Sequence, residues 1–293
     1  MRIVNMGEWP LGPEDEHPHP PNGELLWNES WYYDFVSEDG DLGGYVRLGL
    51  YPNWGRAWYW ACLVTADGGR TAVLDHEAPL PGEDLTVTGA GYTAAHHTTD
   101  PLRRAEVHLS SAALSLDLTY ETAGVYGYAI TPRYEMPCEV TGTIDGRAFR
   151  GHGERDHSWG VRDWWSISWL WSSARMRDGA YLHGMRANVG LELDWPAFQR
   201  PPGGEVVHVP GFSAATTFDG DLPTETVLRF PGHATTVRPI AFAPVTLTSP
   251  GGAVAEFPRA MCRYESEDGR VGFGWTEWHQ PPDWREHAWR PPV

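Results

Sequence analysis

Cysteine is scarce: Cys62, Cys138 and Cys262 are the only three in 293 residues, and none sits in a CxxC pair. An odd number at wide spacing fits no disulfide framework and no zinc module. Positive charge is scarce as well, with 22 Lys+Arg against 39 Asp+Glu and a formal net charge of −17. A diffuse acidic balance argues against nucleic acid and anionic membrane surfaces as partners. No window approaches about eighteen consecutive apolar residues, so no transmembrane helix and no integral membrane association are expected. The opening "MRIVNMGEWPLGPEDEHPHPPNG" lacks the apolar core of a secretory signal, and a reduced, cytoplasmic protein is expected. GxSxG elbow, phosphate loop, dinucleotide fingerprint and HExxH are all missing, so neither a cofactor nor a catalytic metal is expected.

Glycine, proline and tryptophan are abundant, at 33, 25 and 16. The first two disfavour long helices and favour short strands joined by turns. From Trp31 onward, runs such as "SWYYDFVS", "GGYVRLGLYP", "RAWYWACLVT" and "ALSLDLTYET" are rich in aromatic and β-branched residues, several alternating at period two. Asp-Gly pairs at 39–40, 67–68, 145–146, 178–179, 219–220 and 268–269 signal hairpin turns. Turns at this spacing predict an all-β chain of two antiparallel barrel-like domains packed together. The expected division is an extended Pro-rich arm over 1–24, a first domain over 25–137 and a second over 138–293. The hairpin around Asp268-Gly269 loosely echoes the one around Asp145-Gly146, a hint of internal duplication.

The densest chemistry lies in "GHGERDHSWGVRDWWSISWLW", residues 151–171. If "GERDHSWG" is a strand, Arg155, His157 and Trp159 share one face while Glu154, Asp156 and Ser158 share the other. Trp165, Ile167, Trp169 and Trp171 would likewise share a face. A turn at Asp178-Gly179 would return "AYLHGMRAN" against them and bring in Tyr181 and His183. Such a cluster could hold an apolar molecule and offer it a proton, with indole faces sheltering developing positive charge. The bland reading stands beside this one: Arg155, Asp156, Arg162 and Asp163 as a structural ionic network, and the Trp stripe as core.

The segment "RDHSWG" resembles the D-H-x-W signature of the carotenoid 1,2-hydratase (hydroxyneurosporene synthase) and AttH-like superfamily. "ESWYYDF", "GGYVRLGLYPN", "AWYWACLV" and "GFGWTEWHQP" are similar to an uncharacterised bacterial branch of it, so that the resemblance spans about Trp31 to His279. It implies two lipocalin-like (calycin) barrels with a hydrophobic cavity near their junction. It also implies cofactor-free chemistry on an unsaturated, isoprenoid- or terpenoid-like small molecule: hydration or dehydration, isomerisation or cyclisation. By position, Asp156, His157 and Trp159 match the motif, while Ser158 stands where many members carry Glu or Gln. The Tyr-x-Asp of the hydratases has its nearest counterpart in Tyr181-x-His183. The expected catalytic groups are therefore Asp156, His157 and His183, lined by Trp159, Trp165, Trp169, Trp171 and Tyr181. The alternatives are a non-enzymatic lipocalin-like carrier of hydrophobic ligands and an interaction module without a cavity. The oligomeric state is not indicated.

Overall fold

The computed structural model describes residues 1–128, 131–188, 192–194, 197–282 and 284. The first unit comprises Met1–Thr65 and Gly69–Arg162, the second Ala66–Gly68 and Asp163–Val293. Among the described residues there is no α-helix, only strands and two short 3-10 turns, Pro13–Glu16 and Pro52–Trp54. No helix is long and apolar enough to cross a membrane. Cys62, Cys138 and Cys262 are free and buried.

The first unit holds β1 (Arg2–Asn5), β2 (Trp27–Ser37), β3 (Leu42–Tyr51), β4 (Arg56–Thr65), β5 (Arg70–Ala78), β6 (Thr86–Gly89), β7 (Tyr92–Asp100), β8 (Arg104–Ser111), β9 (Ser115–Thr122), β10 (Gly124–Gly127), β11 (Arg133–Ile144) and β12 (Arg147–Val161). The main path of its sheet runs β5-β4-β3-β2-β12-β11-β9-β8-β7-β6, a nearly closed lipocalin-like barrel. Alternation fills the interior. Trp31, Tyr33, Val46, Leu48, Val107, Leu118 and Met136 belong to one buried cluster.

The second unit holds β13 (Ser168–Met176), β14 (Tyr181–Asn188), β15 (Glu192–Asp194), β16 (Ala197–Arg200), β17 (Val207–Val209), β18 (Ser213–Asp219), β19 (Leu222–Phe230), β20 (His233–Phe242), β21 (Val245–Thr248), β22 (Val254–Phe257), β23 (Arg259–Ser266) and β24 (Val271–His279). Its main sheet, β17-β16-β14-β13-β24-β23-β20-β19-β18, forms a half-barrel over Leu170, Leu182, Phe212, Leu228 and Tyr264. The two units share a plan. In each, the first long strand pairs with the last, β2 with β12 and β13 with β24.

Two expectations about organisation change. The boundary expected near residue 138 falls inside the first sheet, because β11 pairs with β9 and β12 with β2; the compact unit ends at Arg162. The stretch 138–161 read as a fresh start because its Gly-Pro-rich lead-in has no clean period, yet it supplies the strand that closes the barrel. The N-terminal 24 residues are also tied down. β1 pairs in parallel with β10, and the Pro13–Glu16 turn buries Asp15 and Glu16.

Candidate functional site

Strands β2, β11 and β12 lie side by side, and their register decides which side chains enter the barrel. His157 is opposite Tyr134 on β11 and Trp31 on β2; Arg155 is opposite Met136 and Tyr33; Trp159 is opposite Glu29. Directly opposed residues share a face, so Glu29, Trp31, Tyr134, Arg155, His157 and Trp159 converge. The expected face of Arg155, His157 and Trp159 is the inner one.

These groups form one hydrogen-bonded chain. His157 Nε2 lies 2.9 Å from Glu29 Oε1. His19 Nδ1 approaches the same oxygen at 2.6 Å, and the His19 backbone N–H donates to Glu29 Oε2 at 2.9 Å. Beyond His19, its Nε2 lies 3.3 Å from Asp15 Oδ1. At the inner end, Tyr134 OH stands 3.0 Å from His157 Nδ1. With Nε2 of His157 donating to the carboxylate, Nδ1 is left to accept from the Tyr134 hydroxyl, which also lies 3.4 Å from the Asp15 carbonyl. Aromatic faces hold the imidazoles in place. Trp31 stacks on His157 at 4.3 Å, and Trp159 stacks on His19 at 4.0 Å with the planes 9° apart.

Burial gives the chain a direction. The side chains of Glu29 and His157 are fully buried, whereas His19 retains 22% of its side-chain exposure. The exit for a proton is therefore His19. Burial works against charge on both His19 and Glu29, yet their mutual contacts win. Hydrogen bonding to and charge from Glu29, then Asp15, raise the His19 pKa above its usual value. Hydrogen bonds from His157 and His19 hold the Glu29 carboxyl below the usual carboxylate range. A cationic imidazole against an indole face agrees with this balance.

A second buried pair fixes the arm that carries His19. Glu16 reaches Arg155 inside the barrel, and its oxygens accept from the Leu102 N–H at 2.7 Å and from the Thr98 hydroxyl at 3.1 Å. Burial alone would raise the Glu16 pKa, but the Arg155 guanidinium reverses the sign and keeps it lowered.

The other expected site residues are distributed differently. Asp156 points to the opposite face of β12, since neighbours in a strand alternate. There it lies 2.5 Å from Arg133, which also binds Glu135 at 2.5 Å, so for Asp156 the ionic-network reading fits the geometry. His183, Tyr181, Trp169 and Trp171 belong to the second unit, on the faces of β13 and β14 opposite its core cluster. The expected hairpin does bring Trp171 and His183 together, with ring centroids 5.4 Å apart. His183 stacks on Phe198 at 4.8 Å, and Trp169 stacks on His279 at 3.9 Å. Trp165 does not join that stripe. β13 begins only at Ser168, and a turn closed by Trp165 N–H to Asp163 Oδ1 at 2.9 Å sends the Trp165 indole to the Leu247 carbonyl.

Sequence reasoning missed Glu29, His19 and Tyr134. Glu29 and Trp31 alternate in "NESWYY" and share a face, which was a usable signal. His19 had none, because its Pro-rich surroundings read as an unattached arm. By spacing, His19, Glu29 and His157 could also hold a metal ion, each offering a ligand atom within 4.8 Å of the others. The hydrogen bonds that link them support a proton chain.

A family model described as a domain of unknown function, DUF7064, matches residues 12–282. No curated protein matches the chain by sequence. Solved structures share its fold. An AttH-like protein of Nitrosomonas europaea is 17% identical, with a TM-score of 0.68 over 94% of this chain and 98% of its own. Kievitone hydratase from Nectria haematococca is 11% identical, with a TM-score of 0.60 over 89% and 91%. CghA in complex with Sch210972 is 13% identical, with a TM-score of 0.59 over 90% and 94%.

Proposed function

The chain belongs to the DUF7064 family, and we propose that it is a cofactor-independent acid–base enzyme acting on an unsaturated hydrophobic small molecule of isoprenoid or terpenoid type. The observation that carries this reading is the chain Asp15–His19–Glu29–His157–Tyr134, in which His19 is the most exposed member. The hydratase among the structural neighbours supports the same class of chemistry.

In this reading, His19 as imidazolium gives its proton to one carbon of the substrate double bond. The π electrons form the new C–H bond, and the adjacent carbon is left cationic beside Trp159. Water adds to that carbon in hydration and releases a proton to the neutral imidazole. Loss of a neighbouring C–H proton to the imidazole gives isomerisation, and attack by an internal double bond gives cyclisation. Glu29 holds His19 cationic and is itself held by the His157 Nε2–H. An imidazolium is a weak acid beside a carboxylic acid, so a double bond activated by conjugation suits it better than an isolated one. Asp156 and His183 lie outside this chain and are assigned no proton transfer.

Native mass spectrometry of the purified protein, with extraction of whatever co-purifies, identifies the substrate class. Deuterium uptake into that molecule in heavy water is then compared in wild type, Glu29→Gln and His19→Ala. Uptake lost in both folded variants supports the chain, and uptake retained in both overturns it. A lipocalin-like carrier is the alternative, and tight binding with no uptake in wild type would select it.

A further inference from the structure

His19 Nδ1, Glu29 Oε1 and His157 Nε2 lie within 4.8 Å of one another. Two imidazoles and one carboxylate make a ligand set suited to zinc, with a fourth position left open. Hard ions such as Mg²⁺ and Ca²⁺ prefer oxygen alone. What separates a built metal site from a chance cluster is the partner behind each ligand.

Here every ligand has one, and each partner is of the right kind. With Nδ1 on a metal, His19 carries its proton on Nε2 and donates it to Asp15 Oδ1, 3.3 Å away. With Nε2 on the metal, His157 carries its proton on Nδ1, and the Tyr134 oxygen 3.0 Å away accepts it. The Tyr134 hydroxyl then donates to the Asp15 carbonyl, 3.4 Å away. Glu29 gives Oε1 to the metal, while its Oε2 accepts the His19 backbone N–H at 2.9 Å. Asp15 is held in turn, its Oδ2 accepting the Gly12 N–H at 2.7 Å. Trp31 and Trp159 stack on the two imidazoles. Charge also balances, since Glu29 and Asp15 supply two carboxylates for one divalent ion. The way in is the His19 side, where the side chain keeps 22% of its exposure. The hydrogen-bonded form holds Glu29 Oε1 at 2.6 and 2.9 Å from the two nitrogens. Ligand atoms around tetrahedral zinc stand about 3.3 Å apart, so this oxygen has to draw back by roughly 0.5 Å.

We propose that His19, Glu29 and His157 bind Zn²⁺, and that the ion and the catalytic proton compete for the same place. With Nδ1 taken by the ion, His19 cannot become imidazolium, so zinc acts as an inhibitor and not as a cofactor. Binding stands on the geometry alone; the competition rests on the acid–base function proposed above.

The test takes the whole protein, stripped with a chelator, and titrates it with Zn²⁺ by calorimetry and with Co²⁺ by visible absorption. One equivalent of either ion should bind, Co²⁺ should show the bands of a tetrahedral nitrogen–oxygen site, and Zn²⁺ should displace it. Glu29→Gln and His19→Ala each remove a ligand and should cost more than about a hundredfold in affinity, beyond the loss of a partner behind a ligand. Tyr134→Phe and Asp15→Asn change such partners and should cost about tenfold to a hundredfold. No saturable binding in wild type, or undiminished binding in folded Glu29→Gln and His19→Ala, would overturn the site whatever the deuterium-uptake experiment gives. One equivalent of Zn²⁺ should also abolish deuterium uptake in wild type, and chelator should restore it. Uptake that persists in the zinc-loaded protein overturns the competition. Absence of uptake in the metal-free protein removes the proposed function, and the competition with it, while the titrations still decide the site.

Discussion

His19 and His157 share one carboxylate oxygen: Glu29 Oε1 lies 2.6 Å from His19 Nδ1 and 2.9 Å from His157 Nε2. One imidazole is partly exposed and the other fully buried. One carboxylate oxygen thus binds both imidazoles at once, while Trp31 stacks on His157 and Trp159 on His19.

Glu29→Gln keeps the volume of the side chain and removes its charge. His19 should then titrate at lower pH, visible in its ring resonances. Turnover of the co-purifying molecule should fall about 10²–10⁴-fold, the usual worth of a positioned acid–base group. A His19 titration unmoved by the substitution would disprove the electrostatic link between them.

Two histidines should give stability opposite pH slopes. The His19 pKa is raised in the fold, so its contribution is complete below about pH 6.5, the unfolded value, and is lost as pH rises through the folded pKa. His96 is buried, and burial, then His97 and His108, push its pKa down to about 3. It must be neutral to fold, so its contribution is complete above about pH 6.5 and is lost as pH falls toward its folded value. Denaturation midpoints of His96→Phe should therefore lose part of the acid-side slope that wild type shows between pH 6 and about 4.

Glu16→Gln leaves Arg155 as a buried cation without its carboxylate. Removing one partner of a buried pair costs about 3–5 kcal/mol, and chemical denaturation should read a loss of that order. Glu16→Met with Arg155→Met removes both charges and should recover part of it. Because Glu16 anchors the arm, the single variant should also expose His19 to faster proteolysis of residues 1–24.

Gly153 lets the site strand pass close to the β2 backbone. The β2–β12 ladder skips Gly153 and Glu154, where Asp34 accepts the Glu154 N–H through its side chain at 2.8 Å. A Cβ at Gly153 would overlap the Asp34 carbonyl oxygen. Gly153→Ala should destabilise by about 1–3 kcal/mol, as overpacking does, and should shift the His157 ring resonances. An unchanged melting curve would contradict this account.

Much of the fold was legible from local chemistry. All six Asp-Gly glycines have positive φ, and at Asp145-Gly146 both residues do, at 49° and 72°, as a primed hairpin turn needs. Period-two alternation placed Arg155, His157 and Trp159 on one face correctly. The failures are non-local. Sheet order decides that residues 138–161 close the first barrel, and nothing within that segment reveals its partner β2. Glu29 carries no motif, and its role exists only because β12 lies beside it. His19 was hidden because Pro-rich composition says how a segment runs and not what it docks against. Trp165 went astray because a side-chain-capped turn at Asp163 interrupts what looked like an unbroken strand.

In each unit the first long strand pairs with the last. Biosynthesis meets this plan in an awkward order. Glu29 leaves the ribosome early, and its partner strand follows only after the other long strands of the same barrel. The first sheet must wait, with an unpaired edge, until residues 147–161 arrive. High contact order of this kind makes folding slow and leaves aggregation-prone edges open meanwhile. Truncations that stop short of Val161 should therefore yield insoluble chains, while a chain ending just after Arg162 holds every strand its barrel requires.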